Sequence, residues 1–314
     1  MKPYGIFDFH CDTLTFCGSQ DSTQDSINDP RQVIALSTLP KQVHWAQCFA
    51  IFIPDELTGN GADHFYDQYQ HSLYRQLAKF SELALPCRTS ADIERAWAAD
   101  KTAAILTVEN GSALGGDPRR VEKLARDGVK MMTLTWNGEN ELASGNVTDH
   151  GLSPIGRQVI PLMEEFGILV DVSHLNDTGF YELLDIAKKP FAASHSDARS
   201  ICGHPRNLTD DQIREMVTRK CLIGLNFCDY FLRDGGSSQP EDLMRHIEHF
   251  LTLGAEDCLA LGSDFDGTDL PPWLDSTGKL VDLYSHMIEH GFSGTLCDKI
   301  FFQNASEFFR RNLP

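Results

Sequence analysis

The fold class predicted from this sequence is α/β: a (β/α)8 TIM barrel forming a single domain over residues 1–314. Three observations predict it. Short apolar or β-branched runs alternate with longer amphipathic segments along the whole chain. Eight such runs can be counted, and ionisable residues gather at their C-terminal ends, where a parallel barrel builds its functional site.

Taken in order, the predicted strands are GIFDF, WAQCFAIFI, TAAILTVE, VKMMTLTW, ILVDVSH, FAASHS, LIGLNF and LALGSDF. Between them lie helical patterns, among them FYDQYQHSLYRQLAKFSEL, PRRVEKLARDG, SPIGRQVIPLMEEFG, TGFYELLDIAKK, DDQIREMVTRK and PEDLMRHIEHFLTLG, several closed by a glycine that stops the helix. No linker, low-complexity tract or internal repeat interrupts this rhythm, so a second domain has no place to begin. The segment from Asn137 to Gly151 is polar, contains glycine and is long for a strand-to-helix connection, which marks it as a candidate active-site loop.

Composition narrows the function classes. With 314 residues, 41% of them hydrophobic, the chain can bury a sizeable core. A formal net charge of -18 repels a phosphate backbone or an anionic lipid surface, so neither nucleic acid nor membrane is expected as a partner. The nine cysteines contain no CxxC pair, which fits neither a disulfide framework nor a zinc ribbon and suits a reducing compartment. No signal-peptide pattern precedes the first strand and no run of about 18 apolar residues occurs, so a soluble, cytoplasmic protein is expected.

The strand ends carry the chemistry. Residues two apart on a strand share a face, so His10 and Asp12 of DFHCD can reach one point in the barrel mouth. The third predicted strand ends in Glu109, the fifth in His174, the sixth in His195 and the eighth in Asp264. Each alone has an ordinary explanation: a loop cap, a helix N-terminus, a satisfied core histidine. Together they would cost several kcal/mol each to bury without metal or mutual pairing, so a shared cation is the simplest expectation.

Imidazole and carboxylate donors without thiolate suit Zn²⁺, with Mn²⁺, Fe²⁺ and Co²⁺ compatible in ligand type. Five ligands, His10, Asp12, Glu109, His174 and His195, exceed the needs of one catalytic zinc. Two ions about 3.5 to 4 Å apart would use them all if one carboxylate bridged the pair. Glu109, between the two groups in chain order, is the natural bridge. Alternation turns Cys11 away into packing, and most other histidines, His246 included, are expected to face solvent.

These residues resemble the renal or membrane dipeptidases, peptidase family M19 of the amidohydrolase superfamily. The resemblance spans almost the whole chain and rests on DFHCDT at 8–13, VENG around Glu109, DVSH ending at His174, SHSDAR at 194–199, PRN at 205–207 and GSDFDG at 262–267. The C-terminal FFQNASEFFRR is similar to the family's closing helix. The resemblance implies a binuclear zinc dipeptidase acting on L,L and possibly L,D dipeptides through metal-activated hydroxide. It places His10, Asp12 and Glu109 on one zinc, Glu109, His174 and His195 on the other, Asp264 as proton shuttle, Arg206 on the substrate's terminal carboxylate, and the chain in a homodimer.

One departure stands out. Where animal dipeptidases carry LTH, whose histidine contacts substrate near the developing oxyanion, this chain reads Leu134-Thr135-Trp136. Trp136 keeps an indole N–H but cannot ionise. It could contact substrate or pack beneath the loop, and His150 could supply the missing group. The alternatives are another amidohydrolase activity, lactonase or phosphotriesterase-like, or a catalytically weak metal-binding or ligand-binding barrel. Two-metal members of the former group commonly use a bridging carboxylated lysine, and the strand ending at Trp136 offers none.

Overall fold

The computed structural model describes residues 2–17 and 26–313. Among these residues nine strands run parallel: β1 (Gly5–Cys11), β2 (His44–Phe52), β3 (Ala84–Pro86), β4 (Thr102–Glu109), β5 (Met131–Thr133), β6 (Leu169–Asp171), β7 (Ala192–Ala193), β8 (Leu222–Leu225) and β9 (Leu259–Leu261). Eight of them close into a barrel, since β2 pairs directly with β4 and β9 returns to β1. β3 is the strand that sequence reasoning missed. It pairs only with the first three residues of β4, below the point where β5 takes over at Thr107, and three residues are too few to show a period.

The helices start where local chemistry dictates. Ser153 caps Pro154–Phe166 by accepting from the amides of Ile155 and Gly156, and Thr209 forms a reciprocal capping box with Gln212 on Asp210–Thr218. Their apolar faces bury Met163, Leu183, Met216 and Ile247 against the outward residues Val108, Met132, Val170 and Ile223 of the barrel. Inside, Phe7, Phe9, Ile105, Met131 and Leu222 fill the lower barrel, and Phe308 and Phe309 of the closing helix Asn304–Asn312 plug its base. The catalytic end of such a barrel is therefore a mouth over a packed floor, not a pore.

Two local features shape that mouth. The pairing of β1 with β2 slips by one residue, Asp8 lying opposite Gln47 but Cys11 opposite Phe49, so β1 carries an extra residue. Simple alternation does not hold there: Phe9 packs on the floor while its neighbour His10 turns up to the site. On the far side, a side chain at Gly262 would bring its Cβ within 1.8 Å of the Ser194 carbonyl oxygen, so only glycine lets the chain after β9 approach β7 so closely. No helix among the described residues is long and apolar enough to cross a membrane.

Candidate active site

All six ionisable residues predicted at strand ends converge at the mouth. From β1, His10 Nε2 lies 3.3 Å from Asp12 Oδ2, 3.5 Å from Glu109 Oε2 and 3.8 Å from Asp264 Oδ1. From the other side, His174 Nε2 lies 2.8 Å from Glu109 Oε1 and 3.0 Å from His195 Nε2, and His195 Nε2 lies 4.0 Å from Glu109 Oε1. Glu109, at the end of β4, thus directs its two oxygens at two different groups. Donor atoms of His10–Asp12–Glu109, of Glu109–His174–His195 and of His10–His195–Asp264 each fall within 4.8 Å of one another.

The backbone is bent to make this possible. His174 and Asp264 both sit in the left-handed region, at φ 70° and 60°, a conformation non-glycine residues adopt rarely and at a cost of order 1–3 kcal/mol. Hydrogen bonds set the ring orientations: His174 Nδ1 meets Asn137 Oδ1 at 3.0 Å, and His195 Nδ1 meets Ser194 Oγ at 2.7 Å. Both Nε2 atoms are left to face the centre.

Electrostatics make the cluster expensive without a cation. Burial pushes Glu109 upward, and the Asp12 charge adds to it. Burial drives both His174 and His195 well below the usual imidazole range, reinforced by the positive charges of Arg206 and His10. Burial also opposes protonation of His10, but Asp12 and Glu109 together outweigh it and hold the ring well above its ordinary value. Asp12 Oδ1 is buried with no hydrogen-bond partner among the described residues, and two imidazole nitrogens face each other at 3.0 Å. A hard or borderline divalent cation satisfies both, so the donor set fits the expected group.

Above the cluster a cavity of about 340 Å³ is lined by Asp12, Phe52, Glu109, Trp136, His174 and Asp264, with Asn137, Phe231, Asp266 and Thr268 at its sides. Trp136 stands edge-on to Phe52, with ring centroids 4.9 Å apart, and forms a wall of it. A larger cleft, about 900 Å³, lies at the N-terminal ends of β1, β2 and β4, but none of the clustered donors lines it. The chemistry, not the volume, locates the site.

Arg206 is buried, 5% exposed, with one guanidinium nitrogen 3.3 Å from the His195 carbonyl and its Nε lacking a hydrogen-bond partner among the described residues. Its guanidinium lies 5.4 Å from the ring of Phe231, which lines the cavity. His150 is not brought to the site. Its exposed ring binds Glu139 at 3.0 Å, because the loop carries it outward beyond the turn that presents Asn137.

Several residues at the site escaped sequence reasoning. Asn137 bonds His174, and Asn226 donates to Asp264 Oδ2 at 3.0 Å. Asp8, Asp171 and Asp197 are fully buried under the cluster, and burial raises each. Asp8, two residues before His10, Asp171, three before His174, and Asp197, two after His195, lie inside motifs already recognised; position next to a candidate ligand was the available signal. His246 also corrects an expectation: it is wholly buried rather than solvent-facing.

Comparison with known proteins agrees with this geometry. The family model described as membrane dipeptidase, peptidase family M19, matches residues 1–311. A Klebsiella pneumoniae protein described only as uncharacterized, from the pqqA 5' region, is 31% identical over 251 residues, 74% of this chain and 93% of that one. An uncharacterized dipeptidase of Schizosaccharomyces pombe is 31% identical over 202 residues, and there the match spans 61% of this chain and 48% of that one. Among solved structures, the fold matches a metallo-peptidase called dipeptidase AC with a TM-score of 0.94 at 24% identity, covering 99% of each chain. It matches a Rhodobacter sphaeroides metallo-peptidase, liganded with a phosphinate mimic of L-Ala-D-Ala, with a TM-score of 0.92 at 23% identity, again over 99% of each. The chain belongs to the membrane dipeptidase family, peptidase family M19, and is a metal-dependent dipeptide hydrolase.

Proposed function

We propose that this chain hydrolyses dipeptides with two divalent cations, zinc by donor preference, one held by His10, Asp12 and Glu109 and the other by Glu109, His174 and His195. The observation that carries this reading is the divergence of the Glu109 carboxylate, one oxygen toward His10 and the other toward His174 and His195. When bound, such ions lower the pKa of water toward about 7 and polarise a carbonyl.

The protein's own groups supply the rest. Asp264, tied to Asn226 through one oxygen, turns the other toward the cluster and can take the proton of the attacking water and pass it to the leaving amine. Burial raises its carboxyl, which favours holding that proton. Arg206, buried and with hydrogen-bonding capacity unused, suits the substrate's terminal carboxylate. Phe52 and Trp136 limit the cavity to a size in the range of small-molecule sites. Acceptance of a D residue at the second position is supported by the L-Ala-D-Ala mimic bound to the Rhodobacter sphaeroides relative.

The test is a panel of L,L and L,D dipeptides, assayed with metal analysis of the purified protein before and after chelation. Asp264→Asn is expected to keep its metal and lose most turnover, about 10²-fold or more. His174→Ala is expected to lose metal as well. Activity indifferent to a chelator, or wild-type turnover in Asp264→Asn, overturns the reading.

A further inference from the structure

We infer that Asn137 does two jobs with one carboxamide: its Oδ1 orients His174, and its Nδ2 donates a hydrogen bond to the carbonyl oxygen of the scissile amide. The first half rests on the proposed metal site, and the second on dipeptide hydrolysis as well.

The argument starts at His174. Its Nε2 faces Glu109 at 2.8 Å and His195 at 3.0 Å, so Nε2 is the nitrogen available to a cation and must carry a lone pair. Neutral imidazole then has its proton on Nδ1. Nδ1 lies 3.0 Å from the side chain of Asn137, and an N–H needs an oxygen there, so the carboxamide is fixed with Oδ1 toward the ring. Its Nδ2 has no hydrogen-bond partner among the described residues, and Asn137 lines the cavity beside Glu109 and His174. A half-buried amide N–H₂ to which the described residues offer no acceptor, beside the donor cluster, is placed to donate to a substrate oxygen.

The loop holds Asn137 in place from both sides. The Gly138 amide donates to Asp55 Oδ2 at 2.8 Å, and Asp55 Oδ1 is in turn held by Asn110 Nδ2 at 3.2 Å. Val147 donates to the Asn137 carbonyl at 3.2 Å, and Gly145 to the Gly138 carbonyl at 2.8 Å. Gly145 is packed so closely that a Cβ there would lie 2.1 Å from the Trp136 carbonyl oxygen and 2.4 Å from that of Asn137. Trp136, the preceding residue, sets its ring edge-on against Phe52. The donor at this wall of the cavity is therefore Asn137, whose backbone the loop holds fixed.

The experiment uses the full-length protein with Asn137→Leu and Asn137→Asp, zinc affinity being read by chelator competition and kcat and KM on the best dipeptide at saturating zinc. Asn137→Leu, which removes both functions, is expected to bind zinc roughly 10–100-fold more weakly. Resaturated with zinc, it is expected to lose about 10²–10³-fold in kcat with KM changed by only a few-fold. Asn137→Asp keeps an oxygen for Nδ1 and is expected to hold zinc like the wild type. Wild-type zinc affinity in Asn137→Leu overturns the orienting role, and wild-type kcat at saturation overturns the donor role. Should Asn137→Leu not fold, Asn137→Ala gives the same two readings. If the wild type cleaves no dipeptide, the functional reading fails there, while the zinc arm still decides the role of Oδ1.

Discussion

His246 gives a stability prediction whose size follows from the structure. The ring sits on the helix Pro240–Thr252, 0% exposed, with Nδ1 accepting from the Ala198 amide at 3.1 Å and Nε2 donating to the Leu232 carbonyl at 3.0 Å. Both nitrogens are satisfied only when the ring is neutral, since a proton on Nδ1 would confront an N–H. Burial first, and then the charges of Arg245 and His249 against the opposing Leu232 carbonyl and Asp242, lowers its pKa to about 4. The folded value lies below the unfolded 6.5, so the stability this residue contributes is full above about pH 6.5 and is lost as pH falls toward 4. At 1.36 kcal/mol per unit the whole window is worth about 3 kcal/mol, of which about 2 kcal/mol is lost between pH 7 and pH 5. Urea denaturation of wild type and His246→Gln at both pH values reads this directly. The metal-site histidines titrate in both proteins and cancel in the comparison. The wild type should lose about 2 kcal/mol more than the variant on going to pH 5. Equal losses in the two proteins would refute the account.

Two further outcomes are expected. Arg206→Met should lower kcat/KM on dipeptides roughly 10–150-fold, the worth of a hydrogen bond to a charged group, while leaving zinc content and melting temperature near wild type because a desolvated cation is removed with the bond; unchanged kcat/KM would take Arg206 out of substrate binding. Gly262→Ala should cost about 1–3 kcal/mol or more in a melting experiment and reduce zinc content, because the added methyl meets the Ser194 carbonyl, a backbone atom next to His195; a variant with wild-type stability and zinc would show that β7 can shift freely.

How much of this was legible in the sequence depended on which physical signal each feature left. Eight strands and their helices were readable because apolar runs and helical periods are properties of neighbouring residues. Ala84–Pro86 left no such signal, being three residues long and paired on one side of β4 alone. The candidate ligands were readable because they sit at strand ends, yet the reason given for His10 and Asp12 sharing a face was incomplete: the bulge in β1, not alternation alone, turns His10 up beside Asp12. The direction of His150 and the part played by Asn137 could not be read, because a long loop has no period from which direction can be taken. Arg206 could have been an exposed ion-pair partner by sequence; its burial, and the absence of an ion pair within 4 Å among the described residues, are tertiary facts.

The carboxylates beneath the site explain how candidate ligands remote in sequence are held to a common spacing. Asp171, on β6, accepts through one oxygen from the Ser173 amide at 3.0 Å and the Ser194 amide at 2.9 Å. Those amides belong to the residues immediately before His174 and His195, so a single carboxylate clamps the two strand ends that carry the facing imidazoles. Asp8 repeats the device between β1 and β9. It accepts from the Ser263 amide at 2.8 Å and the Ser263 hydroxyl at 2.5 Å, the residue just before Asp264, and from the His10 amide at 3.4 Å. Hydrogen bonds from several donors are what make a buried carboxylate tolerable, and here the donors are backbone groups one residue away from the chemistry. The left-handed turns at His174 and Asp264 each follow one of these clamped amides. The strain is thus anchored on its N-terminal side by buried carboxylates, so bonds among the protein's own groups position the proposed ligands.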